Sequence, residues 1–473
     1  LFSRTSADAE RIDYFGEPPG FLIAIQRADV LAMSSSSRAD LAVGLTRREL
    51  LAAIPAVALA GCGGTGPEPP ASGRPRLAAI VTEYRNKSHA QGIVDRFLDG
   101  YGWESTHYRP AMDVVSLYVD QRPENDLSRE RQQRHAALTI YPTIAEALTC
   151  GGDRLAVDGV LIIGEHGKYP RNDKGQTLYP RYEFFQKIVE VFRQSGRSVP
   201  VFNDKHLSWN WEWAKSMVET SRTIGFPFMA GSSLPITWRL PAVDVPFGAD
   251  VVEGVCVGYG GIDSYDFHGL ESLQCLVERR KGGETGVRAV TAVRGGNVWR
   301  ALQSGSWGSG GCDLELFEAC LCRSFRLASP REGYGNAYPE IVQMAALARD
   351  PVLYRIEYAD GLKGTFLLLD GLVQDFTAAV RIKGQAEPVS TQLYLPGLSW
   401  GETLPNFFSP LVHHIETLVQ TGTPPYPIER TLLTTGVLSA AIDSLHAGQK
   451  RIVTPDLERV RYLPPRESTF WRS

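Results

Sequence analysis

From Arg76 onward, short apolar runs alternate with stretches whose apolar residues recur at helical spacing, which is how parallel α/β units read. Leu77 to Val81 reads as a first buried strand, and the helix after it, from about Ser88 to Leu98, places Ile93, Val94 and Phe97 on one face. Val114 to Val119 predicts a second strand ending at Asp120, followed by a polar helix near Ser128 to Ala137 and by Ile144 to Leu148 after Tyr141-Pro142-Thr143. Val157 to Ile163 is a strongly apolar strand, and Tyr182 to Phe192 is amphipathic at helical spacing. Val199 to Phe202 continues as a strand, Trp213 to Ile224 as a helix and Phe226 to Ala230 as a short strand.

After Pro241 the rhythm changes. Strand-like runs such as Val251 to Gly258, Val287 to Val293, Val352 to Tyr358 and Gly364 to Leu369 follow with fewer helices between them, which predicts an antiparallel or mixed sheet. Helices are expected at His268 to Arg279, Asp313 to Ser324, Phe407 to Gln420 and Ile428 to Leu445. The chain therefore divides into residues 76–240, an α/β domain with a parallel sheet, and residues 241–473, a sheet-rich α+β domain for substrate and oligomer contacts. No internal repeat is visible.

The first 75 residues differ in kind. Met33 is a candidate start, with 1–32 as upstream read-through. Arg47-Arg48 precedes an apolar stretch ending at Ala60, the pattern of a twin-arginine export signal. That stretch is about a dozen residues, well short of the roughly 20 that span a bilayer. Leu59-Ala60-Gly61-Cys62 closes it as a lipobox would, ahead of a Gly/Pro/Ser-rich tether over residues 63–75; the other reading is a plain export signal with Cys62 incidental. The expectation is an exported protein, periplasmic or membrane-anchored, touching the membrane only through a lipid on Cys62. The slightly negative net charge of −4 and the lack of a basic run exclude nucleic acid as a partner. The other six cysteines fit no zinc spacing, and most read as small buried hydrophobes, with disulfides permitted by export.

Two pairs of segments carry a family resemblance. Val157 to Ile163 is followed by a helix and then by Val199-Pro200-Val201-Phe202-Asn203-Asp204-Lys205-His206; further on stands Tyr265-Asp266-Phe267-His268-Gly269-Leu270-Glu271, after Gly260-Gly261. In order and spacing these segments, together with Ile428 to Ser444 and Ile452 to Thr454, resemble the Gfo/Idh/MocA oxidoreductases from about Arg76 to Tyr462. The resemblance implies a Rossmann-like front half and a sheet-rich back half. It also implies NAD or NADP as cofactor, with Lys205 and His268 as catalytic groups and Asp204 at the cofactor. Where this chain has Asp204-Lys205-His206, the family has Glu-Lys-Pro. A spacing of three puts His268 and Glu271 on one helical face, where the acid would orient the imidazole.

The loop after the first strand departs from that pattern. A dinucleotide fingerprint needs glycines so that backbone can approach the pyrophosphate at a helix N-terminus. This chain reads Thr82-Glu83-Tyr84-Arg85-Asn86-Lys87-Ser88, with no glycine before Gly92. Thr82, Tyr84, Arg85 and Ser88 are the groups left to meet a cofactor by side chain, and Asp120 is of the right kind for ribose hydroxyls.

A lysine at a strand end can be desolvated into proton exchange with a substrate hydroxyl; the plainer reading of Lys205 is a surface lysine paired with Asp204. His268 suits acid–base work, or is a core or capping histidine. Glu165 and His166 open a long polar loop at a strand's carboxyl end, where open α/β sheets gather ligands. They read as acid and base; a metal site with His206 and His268 lacks a spacing signature and is not expected. Trp209 and Trp211 offer faces for sugar rings, or pack the next helix. Trp238 and Arg239 close the cleft or hinge the halves, and Asp266 and Glu271 complete the expected substrate contacts. The reading is an oxidoreductase of a sugar or polyol with tightly held NAD(P), possible as a homo-oligomer. The alternatives are a lyase or glycoside-cleaving relative with internal or absent NAD, and a sugar-binding lipoprotein without catalysis.

Overall fold

The computed structural model describes residues 73–330, 338–396 and 406–472; Arg47-Arg48 and Cys62 lie outside the described residues. The chain enters on β1 (Arg76–Val81), whose apolar residues are buried on both faces, and turns into α1 (His89–Asp99) through the N-cap Ser88, whose side chain accepts from Gln91 N. A small hairpin, β2 (Tyr101–Trp103) and β3 (Thr106–Tyr108), precedes β4 (Asp113–Val119). Then come α2 (Ser128–Arg134), β5 (Thr139–Tyr141), α3 (Ile144–Thr149) and β6 (Gly159–Ile163). The alternation closes with α4 (Arg181–Ser195), β7 (Val201–Asp204), α5 (Trp211–Ile224) and β8 (Phe228–Gly231).

These strands form a six-stranded, all-parallel sheet in the order β5-β4-β1-β6-β7-β8. Renumbered within the sheet that order is 3-2-1-4-5-6, the doubly wound Rossmann arrangement, and the strand order reverses between β1 and β6. Ligands of such sheets bind outside the carboxyl ends of the strands at that reversal. Alternate residues of β1 face different cores. Ala78 and Ile80 pack toward α3, α4 and α5, while Leu77, Ala79 and Val81 pack toward α1.

The second sheet begins with β9 (Arg239–Leu240) and β10 (Val251–Gly258). After α6 (Asp266–Val277) come β11 (Val287–Arg294), α7 (Gly296–Gln303), α8 (Leu314–Arg323), α9 (Ile341–Leu347), β12 (Val352–Tyr358) and β13 (Lys363–Leu368). It ends with β14 (Phe376–Ile382), β15 (Val389–Leu393), α10 (Ser409–Thr421), α11 (Ile428–His446) and β16 (Ile452–Val453). The eight strands run β16-β11-β12-β13-β10-β14-β15-β9. The sheet is mixed because β10 and β13 are parallel while its other pairs are antiparallel. On one face Cys256, Tyr354, Phe366 and Ala378 meet α6 and α11; on the other Val255, Leu353 and Leu367 meet α7, α8 and α9.

Two late helices return to the first sheet. α10 packs on α1 through Phe408, Leu411 and Ile415, and α11 packs on α5 and β8 on one side and on α6 and β11 on the other. Both sheets thus share helices. Cys256, Cys275, Cys312 and Cys320 are buried thiols, and no helix among the described residues is long and apolar enough to cross a membrane.

Candidate active site

At the carboxyl ends of the first sheet, β6 runs into Glu165 and His166, β7 into Lys205, and β8 into Ser232, while α1 contributes its first residue, His89. α6 brings His268 from the second sheet's layer. Glu165, His166, Lys205 and His268, far apart in sequence, line one cavity of about 90 Å³ together with His89 and Tyr265.

The backbone spends strain to aim these groups. Lys205 and His166 both sit at positive φ, +69° and +71°, a region that disfavours residues with a Cβ. Gly231 follows the same need: at φ +132° its backbone passes so close to the Glu271 carboxylate that a Cβ would stand 2.5 Å from Oε2. That carboxylate accepts from Ser232 N and from the Thr431 and Thr434 hydroxyls, which fixes the turn after β8.

Lys205 Nζ lies 2.6 Å from His268 Nε2 and 3.7 Å from Glu165 Oε1. Burial pushes the His268 imidazole well below its ordinary pKa, and the Lys205 charge pushes it the same way, so it is neutral near pH 7. The ammonium therefore donates to Nε2, and Nδ1–H donates to Ser232 Oγ at 2.5 Å. Glu165 is buried, which alone would raise its carboxyl, but the Lys205 and Arg181 cations outweigh burial and hold it well below the carboxylate range. Arg181 Nη2 donates to Glu165 at 2.8 Å, and Nη1 donates to His206 Nε2 at 2.9 Å. His166 is lowered to about 4, by burial first and by His89 second. His89 Nδ1 meets Asp204 Oδ2 at 2.7 Å. Among the described residues, no group of three or more His, Cys, Asp or Glu side chains is disposed to hold a metal ion.

Several residues expected at the site lie elsewhere. Glu271 shares a face with His268 but reaches it only through Ser232; the serine hydroxyl, not the acid, holds the imidazole. Asp266 accepts from the Tyr354 hydroxyl and caps its own turn. Trp209 packs edge-on to Trp213, which stacks on Tyr182, and Trp211 lies over Lys215 and Gly436. These tryptophans seat α5 against α4 and α11, so they present no face to the cavity. Trp238 joins Trp103 and Tyr394, and Arg239 is buried between Asp244 and the Phe470 ring.

The groups expected at a cofactor are engaged as well. Tyr84 turns into the core and donates to Asp95, Thr82 donates to the Glu165 carbonyl, and Arg85 pairs with Glu83. Ser88 Oγ accepts from Gln91 N and Arg85 N, and Lys87 N donates to Gln91 Oε1, so the Gln91 amide in the first turn of α1 and two amides of the loop before it are engaged locally. Asp120 accepts from the Tyr118 and Tyr169 hydroxyls. The loops after β1, β4 and β6 are tied to one another: Gln121 N donates to Thr82 O, Leu127 N to Tyr84 O, and Lys168 N to Gln121 Oε1. As the loops stand, these residues do not fit a pyrophosphate in its usual place. The cavity is also small beside the roughly 300–1,000 Å³ of pockets that hold whole ligands.

Ser232, Arg181 and His89 are site residues that the sequence did not single out. Only His89 carried a signal, an imidazole directly after a helix N-cap at the end of β1.

The fold and this cluster define a doubly wound α/β protein with a group of buried ionisable side chains at the sheet's reversal point. No family model and no curated protein sequence matches the chain. Among solved structures, it is similar to GenD2 from gentamicin A biosynthesis in complex with NAD, at 14% identity and TM-score 0.48, over 83% of this chain and 99% of that one. It is also similar to a probable dehydrogenase from Thermotoga maritima, at 11% and 0.48, over 81% and 99%. The myo-inositol dehydrogenase of Lactobacillus casei, in complex with NAD(H) and myo-inositol, stands at 11% and 0.47, over 81% and 99%. Likeness of this degree concerns the course of the chain.

Proposed function

We propose that this protein is an oxidoreductase acting on a hydroxyl-bearing carbon of a small sugar or polyol. The observation that carries the reading is the contact of Lys205 with His268, beside Glu165, in a cavity at the reversal point of a doubly wound sheet. A buried ammonium that touches a neutral imidazole can stabilise negative charge on a substrate oxygen and pass its proton on. Glu165 balances the charge of that ammonium, and Arg181 holds Glu165 in place. The cavity wall also carries the Tyr259 and Tyr265 side chains and Ser233, polar partners suited to a polyhydroxylated molecule.

The redox partner implied by the family resemblance is NAD or NADP, which supplies the hydride acceptor when bound. Its admission requires the ties among the loops after β1, β4 and β6 to open, so it would enter and leave slowly. Heating the purified protein and recording absorbance and fluorescence of the supernatant is expected to show released nicotinamide, either as isolated or after incubation with NAD or NADP. None under either condition removes the reading. Lys205→Ala is expected to abolish turnover of a polyol while thermal unfolding stays cooperative; retained turnover excludes the role given to Lys205.

Export through the twin-arginine route and anchoring by a lipid on Cys62 belong to the same proposal and rest on the sequence alone. Cys62→Ala is expected to move the protein from the membrane fraction to the soluble one, and an unchanged distribution rejects the anchor.

A further inference from the structure

The cavity holds more imidazoles than the Lys205–His268 contact uses, and they differ in what their nitrogens are doing. On His268 both are engaged, Nε2 with Lys205 and Nδ1 with Ser232. His206 has Nε2 bound by Arg181. His166 Nδ1 is buried without a partner, too enclosed to meet a substrate by that nitrogen. His89 differs in being held by an acid: Nδ1 is bound to the carboxylate of Asp204, and among the described residues Nε2, like that of His166, has no hydrogen-bond partner.

Several contacts fix His89 in place. Asp204 ends β7 and its side chain is 1% exposed, whereas that of His89 is 16% exposed. A buried carboxylate needs a partner, and here the partner is the imidazole. A carboxylate accepts, so Nδ1 carries a hydrogen, which leaves Nε2 as the nitrogen that can exchange a proton with a substrate. The Phe408 ring meets the imidazole edge-on at 4.9 Å and limits its rotation. Ring centres of His166 and His268 lie 5.6 and 6.4 Å from that of His89, so the open nitrogen and the Lys205–His268 pair serve one space.

We propose that His89, oriented by Asp204, is a further catalytic base of this site, accepting the proton of a substrate hydroxyl on Nε2 and returning it in the reverse reaction. The arrangement is the acid–imidazole part of a catalytic triad, with a substrate hydroxyl in place of the serine. This rests on the reading of the cavity as an oxidoreductase site. Within it, Lys205 supplies the positive charge next to the oxygen, and His89 is the lone pair that is free to take the proton.

Two measurements on the full chain test the assignment. His89→Gln is expected to lower kcat by about 10²–10⁴-fold with KM little changed, and added imidazole is expected to restore part of the kcat of His89→Gly. Diethyl pyrocarbonate, followed by peptide mapping, is expected to modify His89 well before His268, because only an open, unprotonated nitrogen reacts. Wild-type kcat in His89→Gln, or modification of His268 ahead of His89, overturns the proposal. A wild-type protein that turns over no sugar or polyol rejects the oxidoreductase reading instead, and the order of modification then decides the question of His89 by itself.

Discussion

Asp263 shows how far a single residue's surroundings set its chemistry. Its backbone is left-handed at φ +64°, its carboxyl is buried beside Asp266, and Oδ2 accepts from Thr177 N at 2.7 Å. Burial, more than the neighbouring Asp266, raises its pKa from 3.8 to about 7. The folded protein thus keeps a proton that the unfolded chain has already lost. Its contribution to stability is complete below 3.8 and falls as the pH rises to 7. Asparagine tolerates the same backbone and can accept the same hydrogen bond, but does not titrate. Urea unfolding at pH 5 and pH 8 is expected to show wild type losing about 2–3 kcal/mol more than Asp263→Asn across that interval. Parallel losses would show that Asp263 ionises normally in the fold. At this scale the sequence is a partial guide. Glu165 and His166 could be named from the end of a strand, and Lys205 and His268 from the segments that resemble a known family, since both signals lie in local order along the chain. The tryptophans misled because stacking on a sugar and packing under a helix ask for the same side chain, and the sequence does not record which face is covered.

Among elements, the contact of α6 with the second sheet controls where His268 stands. Gly269 follows it in the chain, and a Cβ there would lie 2.0 Å from the Phe366 ring on β13. Phe366 is fully buried, so the ring has nowhere to retreat. Gly269→Ala is expected to destabilise the fold by about 1–3 kcal/mol and to weaken turnover by lifting His268 away from Lys205. A variant with unchanged melting temperature and activity would mean that α6 rides more loosely on the sheet. Strands such as β1 and β6 were legible because burial on both faces demands apolar runs. The hairpin of β2 and β3 was not. Its residues are held by the Trp103, His413 and Trp471 rings and by Glu416 accepting from Tyr108, contacts that come from the far end of the chain.

Over the whole molecule, the alternation of strands and helices foretold a parallel sheet followed by a sheet-rich part, and the order 3-2-1-4-5-6 adds what periodicity cannot supply, the place where the strands part. That place holds the histidines and the lysine. The sequence also gave notice that the glycines for a pyrophosphate were missing. It could not say that side chains and three loops fill the space, because those bonds link residues from Thr82 to Lys168.

α11 touches β8 and α5 with one side and α6 and β11 with the other, and most of its length is buried. A wedge seated in both layers makes each a wall of the other. The front sheet, excised at residue 240, would keep α1 to α5 but lose α10 and α11, which would bare the apolar surface they cover on α1, α5 and β8. Gene fusions or fragments that borrow it as a free-standing module should therefore carry the last helices along.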